Sequence, residues 1–205
     1  MKQRIIIFLA LVIAGYAAYP QSKVPALDKS EMDMSYYPPN YPILKIQDKI
    51  TEPLIARVVY SRPQRNGRAV FGELVEYEKV WRIGANEATE IEFFKNVNFG
   101  GKAVPKGRYT LYTIPTLDKW TVIINKETDT WGSFKYDSKK DLVRVECPVQ
   151  KLEEPIESLA IYFDKTVTGF SLCAAWESLA MNVPITVSEP APVKTPAKTT
   201  KKKIP

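Results

Sequence analysis

Leu159-Ala160-Ile161-Tyr162-Phe163, then Thr168-Gly169, then Phe170-Ser171-Leu172-Cys173-Ala174-Ala175-Trp176, is the stretch that decides the fold. Leu159, Ile161 and Phe163 share one face of the first run. Phe170, Leu172, Ala174 and Trp176 share one face of the second. Successive side chains leave a strand on opposite sides, so an apolar period of two marks a half-buried strand. The glycine between the runs is a turn signal.

Working outward, the same texture recurs along the chain. Segments rich in β-branched and aromatic residues lie at Ile43–Ile50, Leu54–Ser61, Ala69–Val75, Lys79–Ile83 and Thr89–Lys95. Others lie at Arg108–Ile114, Trp120–Asn125, Leu142–Cys147 and Val183–Val187. Asn66-Gly67, Gly100-Gly101, Pro105-Lys106-Gly107 and Pro115–Asp118 punctuate them. No stretch carries a helical apolar stripe over three turns. The prediction is all-β: a single antiparallel β-sandwich or barrel-like domain of about ten short strands with little helix. Strand parity puts Cys147 with Val143 and Val145, and puts Cys173 opposite Phe170 and Leu172. The two thiols are therefore expected to be free, unless a bulge reverses one parity and an oxidising compartment pairs them.

The two ends differ from the middle. Met1-Lys2-Gln3-Arg4 precedes an apolar run to Ala18, the pattern of a signal peptide over 1–18, with an uncleaved membrane anchor as the alternative. Either places the domain outside the cytoplasm, in the periplasm or secreted. Residues 19–42 read as an irregular lead-in, residues 43–187 as the domain, and residues 188–205 as a disordered Pro/Lys-rich tail. The net charge of +6 sits at these ends: +2 before the apolar run and +5 after Pro190, which leaves −1 for residues 19–189. A nearly neutral domain offers no nucleic-acid-binding face. The lysines of the tail suit weak contact with an anionic envelope surface, or solubility alone.

Composition excludes several chemistries. The chain has 205 residues and no histidine, which removes Ser-His-Asp triads, Cys-His dyads and histidine metal centres. Two cysteines are too few for a thiolate metal site, and the scattered glycines form no phosphate-binding loop. No metal and no cofactor is expected.

Three blocks are distinctive. The first runs from Tyr60-Ser61-Arg62-Pro63 through Gly67-Arg68, Phe71–Val75 and Val80-Trp81-Arg82 to Gly84-Ala85-Asn86-Glu87-Ala88-Thr89-Glu90-Ile91. The second is Gly107–Pro115 with Lys119–Lys126. The third is Trp131-Gly132-Ser133-Phe134-Lys135-Tyr136-Asp137 with Asp141–Val145. With Met32–Tyr36, these resemble the bacterial secreted family DUF2911, over about residues 31–187. Glu76 and Glu78 stand where the family pattern usually has proline and glycine, and Ile83 where it has threonine or leucine. The resemblance implies secretion and an all-β domain, and it supplies no activity.

The candidate ligand-binding residues are Arg62, Arg68, Trp81, Arg82, Asn86, Glu87 and Trp131. Asn66-Gly67 is a strong hairpin signal that would set Arg65 opposite Arg68, with Arg62 on the same arm. Such guanidiniums grip carboxylate, sulfate or phosphate, or pair with Glu73, Glu76 or Glu78 across a sheet. If the Gly84–Ala88 loop meets that hairpin, Arg62, Arg68, Arg82, Asn86 and Glu87 line one anion pocket. Trp81 belongs either to a polar pocket wall or to the core. Trp131, in a turn, either stacks on a sugar face or plugs the sandwich end. Trp120 and Trp176 alternate with core residues. The expected role is a binding or envelope-associated module for a small anionic or sugar-like ligand. The alternative is a histidine-independent hydrolase of a glycan or small ester, with a carboxylate pair that includes Glu87.

Overall fold

The computed structural model describes residues 24–188. The expected leader over 1–18 and the tail from Glu189 lie outside the described residues. Ten strands form: β1 (Met32–Tyr37), β2 (Ala56–Ser61), β3 (Glu90–Phe93), β4 (Val97–Phe99), β5 (Lys102–Val104), β6 (Gly107–Pro115), β7 (Lys119–Asn125), β8 (Asp141–Pro148), β9 (Gln150–Lys165) and β10 (Phe170–Val187). Among the described residues one short α-helix, α1, spans Tyr41–Ile46, and a single 3-10 turn spans Ser138–Lys140. A six-stranded sheet has the order β1-β2-β3-β6-β7-β8, a four-stranded sheet the order β5-β4-β10-β9, and every pairing is antiparallel. This is the expected all-β sandwich.

The core lies between the sheets. Leu111, Trp120, Val122 and Ile124 meet Leu159, Ile161, Leu172 and Val183, all fully buried. The free edge of β9 is closed onto the other sheet. Arg62 Nε donates to the Leu159 carbonyl at 3.0 Å, and Ser35 Oγ to the Ile161 carbonyl at 2.6 Å. The Leu159 and Arg65 amides donate to the carbonyls of Pro63 and Glu157. Edge groups of residues 157–161 that would template foreign strands are thereby satisfied. Cys147 is buried in the core, Cys173 is half-buried on the opposite face of β10, and both are free thiols.

Several element boundaries differ from the sequence reading. The lead-in contains strand β1, whose exposed Met32 and Met34 hid its alternation. Ile43–Ile50 is α1 and a turn, with Pro42 in the first turn where its missing N–H costs nothing. Ala69–Val75 and Lys79–Ile83 are not strands. They belong to a 28-residue connection, residues 62–89, between β2 and β3. Its apolar residues Val70, Phe71, Val75, Trp81 and Ile83 close one end of the core instead of lining a sheet face. Positive φ at Asn66, Gly67, Gly72, Glu78, Ile83 and Asn86 keeps breaking any extended run. Phe170–Trp176 and Val183–Val187 are one strand, continuous through a bulge at Glu177.

Candidate functional site

The candidate site lies on the outer face of the six-stranded sheet, where two loops lock together. The Ala88 amide donates to the Thr130 carbonyl at 3.0 Å, the Gly132 amide to the Asn86 carbonyl at 2.9 Å, and Glu87 forms a backbone bridge with Trp131. Under them Ala88, Tyr112 and Ile123 make a second small core, flanked by Val80, Ile114 and Tyr136.

The loop between β7 and β8 is held at several points. Asp141 accepts from Tyr136 Oη at 2.6 Å, Arg144 Nε at 2.7 Å and Asn125 Nδ2 at 2.8 Å. Ser133 Oγ donates to the Val80 carbonyl at 3.0 Å. Burial, and then the bond to Asp141, push the Tyr136 hydroxyl up to about 12. Gly132 has φ +65°, and a Cβ there would stand 2.9 Å from the Phe134 ring. Only glycine lets that ring lie against the backbone.

This rigid loop presents two aromatic side chains to solvent, Trp131 at 61% and Phe134 at 84% exposure. They line a cleft of about 560 Å³ with Glu127, Asp129, Lys135 and Lys140. Lys140 is ion-paired to Glu127. A neighbouring depression of about 170 Å³ holds Glu87, Glu90 and Asp129 with Met32 and Val59. Arg108 clasps both Asp129 and Glu90, the latter at 3.5 Å. Glu87 is exposed and makes no side-chain hydrogen bond or ion pair among the described residues. A further depression, about 410 Å³, lies where β1, α1 and β9 meet. Its lining is uncharged, and Ser35 Oγ is already committed to β9.

Asn86, Glu87 and Trp131 are brought together, with Arg82 beside them: its Cδ passes 3.9 Å from where a Gly132 Cβ would stand. Arg82 is half-buried, its Nε has no hydrogen-bond partner among the described residues, and burial lowers its pKa. The expected five-residue anion pocket is not assembled. Arg62 pairs with Asp33 at 3.1 Å on the core side of β1, whereas Met32, its neighbour in the strand, faces the Glu87 depression. Arg68 folds back on its own turn, donating to the carbonyls of Arg65 at 2.8 Å and Gln64 at 2.7 Å. The Asn66-Gly67 turn does form, but without flanking strands no register sets Arg65 against Arg68. Trp81 is core, packed among Phe71, Trp120 and Trp176.

The sequence reading missed Phe134, Glu90 and Asp129. Two aromatics flanking a glycine in Trp131-Gly132-Ser133-Phe134 were the available signal for the first. Glu90 follows from its outward parity on β3, while Asp129 comes from across the loop and had no local signal.

A family model described as "Protein of unknown function (DUF2911)" matches residues 42–185. The chain belongs to the DUF2911 family. Within this DUF2911 chain the matched range takes in both interlocked loops and begins after β1. No curated protein and no solved structure matches the chain.

Proposed function

We propose that this DUF2911 protein is an extracytoplasmic binding module that holds a sugar-like ligand against Trp131 and Phe134. The observation that carries this reading is the exposure of both rings on a loop fixed by Asp141, Ser133 and Gly132. Apolar surface left in water on a rigid scaffold is stabilising only once something covers it. A sugar ring offers an apolar face to an aromatic and hydroxyls to the neighbouring Glu127, Asp129 and Lys135. Binding is favoured over hydrolysis because two carboxylates of the adjacent depression are already engaged by Arg108. Retaining and inverting hydrolysis each need a pair free to meet the glycosidic bond and water. Anion binding loses Arg62 and Arg68, which are engaged elsewhere.

The test uses the full chain and its own fluorescence. Trp81, Trp120 and Trp176 are at most 8% exposed, so Trp131 supplies the acrylamide-quenchable emission. Titration with neutral glucose and N-acetylglucosamine oligomers is expected to protect that emission. Trp131→Ala is expected to abolish both the signal and binding measured by calorimetry. Absence of heat and of protection with every saccharide refutes the proposal.

A further inference from the structure

The Trp131 cleft is one end of a longer groove. Asp129 and Thr130 line both it and the Glu87 depression, and Met32 and Val59 line both that depression and a third, of about 310 Å³, over β1. The groove follows a single cross-strand row. Met34 on β1 faces Val59 on β2, which faces Glu90 on β3, which faces Thr110 on β6. Met34 and Glu90 are two interstrand steps apart, about 10 Å at roughly 4.8 Å per step. Beyond Glu90 the row passes under the loop, where Thr110 Oγ1 donates to the Glu127 carbonyl and the Asp129 amide donates to Glu90. A monosaccharide on Trp131 leaves most of this row uncovered.

The charge along the groove is uneven. Its middle holds three carboxylates, Glu87, Glu90 and Asp129, against the single guanidinium of Arg108, which leaves a net −2. Glu87 is the one of the three without a partner among the described residues. The end over β1 presents Met32 at 56% and Met34 at 50% exposure beside Val59 and Tyr36, and its one carboxylate, Asp33, is paired with Arg62. A negative centre between an aromatic end and a thioether end complements a chain with apolar ring faces and positive groups. The aromatic end adds Lys135 and Lys140 against Glu127, so it is the middle that repels an anionic group.

We infer that the groove takes a linear glycan bearing amino groups, laid across the strands from Trp131 to Met34 with an ammonium group on Glu87. This deepens the proposed function and rests on it. The occupant is chosen by charge and by continuity with the aromatic cleft, since covering a longer row adds contact without a second loss of overall freedom.

Glucosamine oligomers of one, two, four and six units are titrated into the full chain by calorimetry, beside N-acetylated and galacturonate oligomers of equal length. The expected result is at least a tenfold gain in affinity from dimer to tetramer, loss of affinity with added salt, and no binding of the galacturonates. Met34→Lys, at an exposed edge position, is expected to weaken the tetramer and spare the dimer. Glu87→Gln is expected to erase the preference for amino over N-acetylated oligomers. Trp131→Ala is expected to weaken every length. Equal affinity of dimer and tetramer, or equal binding of galacturonates, overturns the inference while the Trp131 site stands. Failure of all oligomers overturns both. Binding of a lysine-rich peptide in preference to the glucosamine tetramer assigns the groove to polypeptide and overturns the inference.

Discussion

Thr113 Oγ1 and Trp120 Nε1 are buried without a hydrogen-bond partner among the described residues. A desolvated, unpaired hydroxyl costs about 1–3 kcal/mol, and an isosteric methyl removes that cost. Thr113→Val is therefore expected to stabilise the protein by about 1 kcal/mol, read from the urea midpoint at unchanged m-value. A loss of stability instead would mean that the hydroxyl is satisfied in solution. Tyr136 gives a prediction with a pH sign. Its hydroxyl is raised from 10.0 to about 12, so the neutral form is favoured by folding. Its contribution is fully present below pH 10 and is lost as pH rises through about 12. The stability gap between wild type and Tyr136→Phe is expected to be constant from neutral pH to pH 9 and to shrink above pH 10. A gap independent of pH would show that Tyr136 does not titrate with folding. Neither residue was legible in the sequence, because both effects depend on which groups meet in space.

The elements divide between those legible in sequence and those not. β2, β3 and β8 declared themselves because each buries one face, so alternation and burial coincide, while β6 and β7, buried on both faces through their middles, declared themselves as apolar runs between turn signals. The connection over residues 62–89 misled because its apolar residues plug an end, where no period is imposed. Ile83 shows the conflict most sharply: a fully buried β-branched residue at φ 46°, a conformation costing about 1–3 kcal/mol. The first half of β9 was hidden by Glu153-Glu154-Pro155, a composition tolerated because that edge faces solvent. Of the site, the sequence placed Asn86, Glu87 and Trp131 correctly on loops, and it assigned Arg62 and Arg68 to a cluster that their backbone and Asp33 bonds forbid. At this scale Gly132 governs the aromatic platform. Gly132→Ala forces a side chain into φ +65° and against Phe134. The expected cost is about 1 kcal/mol of stability, with saccharide binding reduced at least as far as in Phe134→Ala. A variant that binds as wild type would show that the ring position is unimportant.

At the scale of the molecule, the two sheets are joined along β9 by side chains and backbone from the β1–β2 region. Arg62 contributes one bond across that seam, to the Leu159 carbonyl, and a second to Asp33 on β1 within its own sheet. Both groups of the ion pair are about two-fifths exposed, so screening limits its worth. Arg62→Ala is expected to cost about 1–2 kcal/mol by urea unfolding, chiefly through the bond to Leu159, and a change under 0.3 kcal/mol, about the scatter of such measurements, would show that the seam does not depend on it.

The strand order has a consequence for how quickly the chain finds this arrangement. Six of the eight strand pairings join strands adjacent in the element sequence, and β4 against β10 has the longest span between partners. Pairings that close short loops form early, since little chain entropy is spent before contacts reward it. The meander β6-β7-β8 and the hairpin β9–β10 are thus expected to form first, and the β9 seam to close after the rate-limiting barrier. Bonds made after the barrier slow escape from the native state without hastening arrival. In a chevron experiment the Arg62→Ala penalty should fall almost entirely on the unfolding arm, so the stitch that joins the sheets acts as a latch on the lifetime of the folded protein.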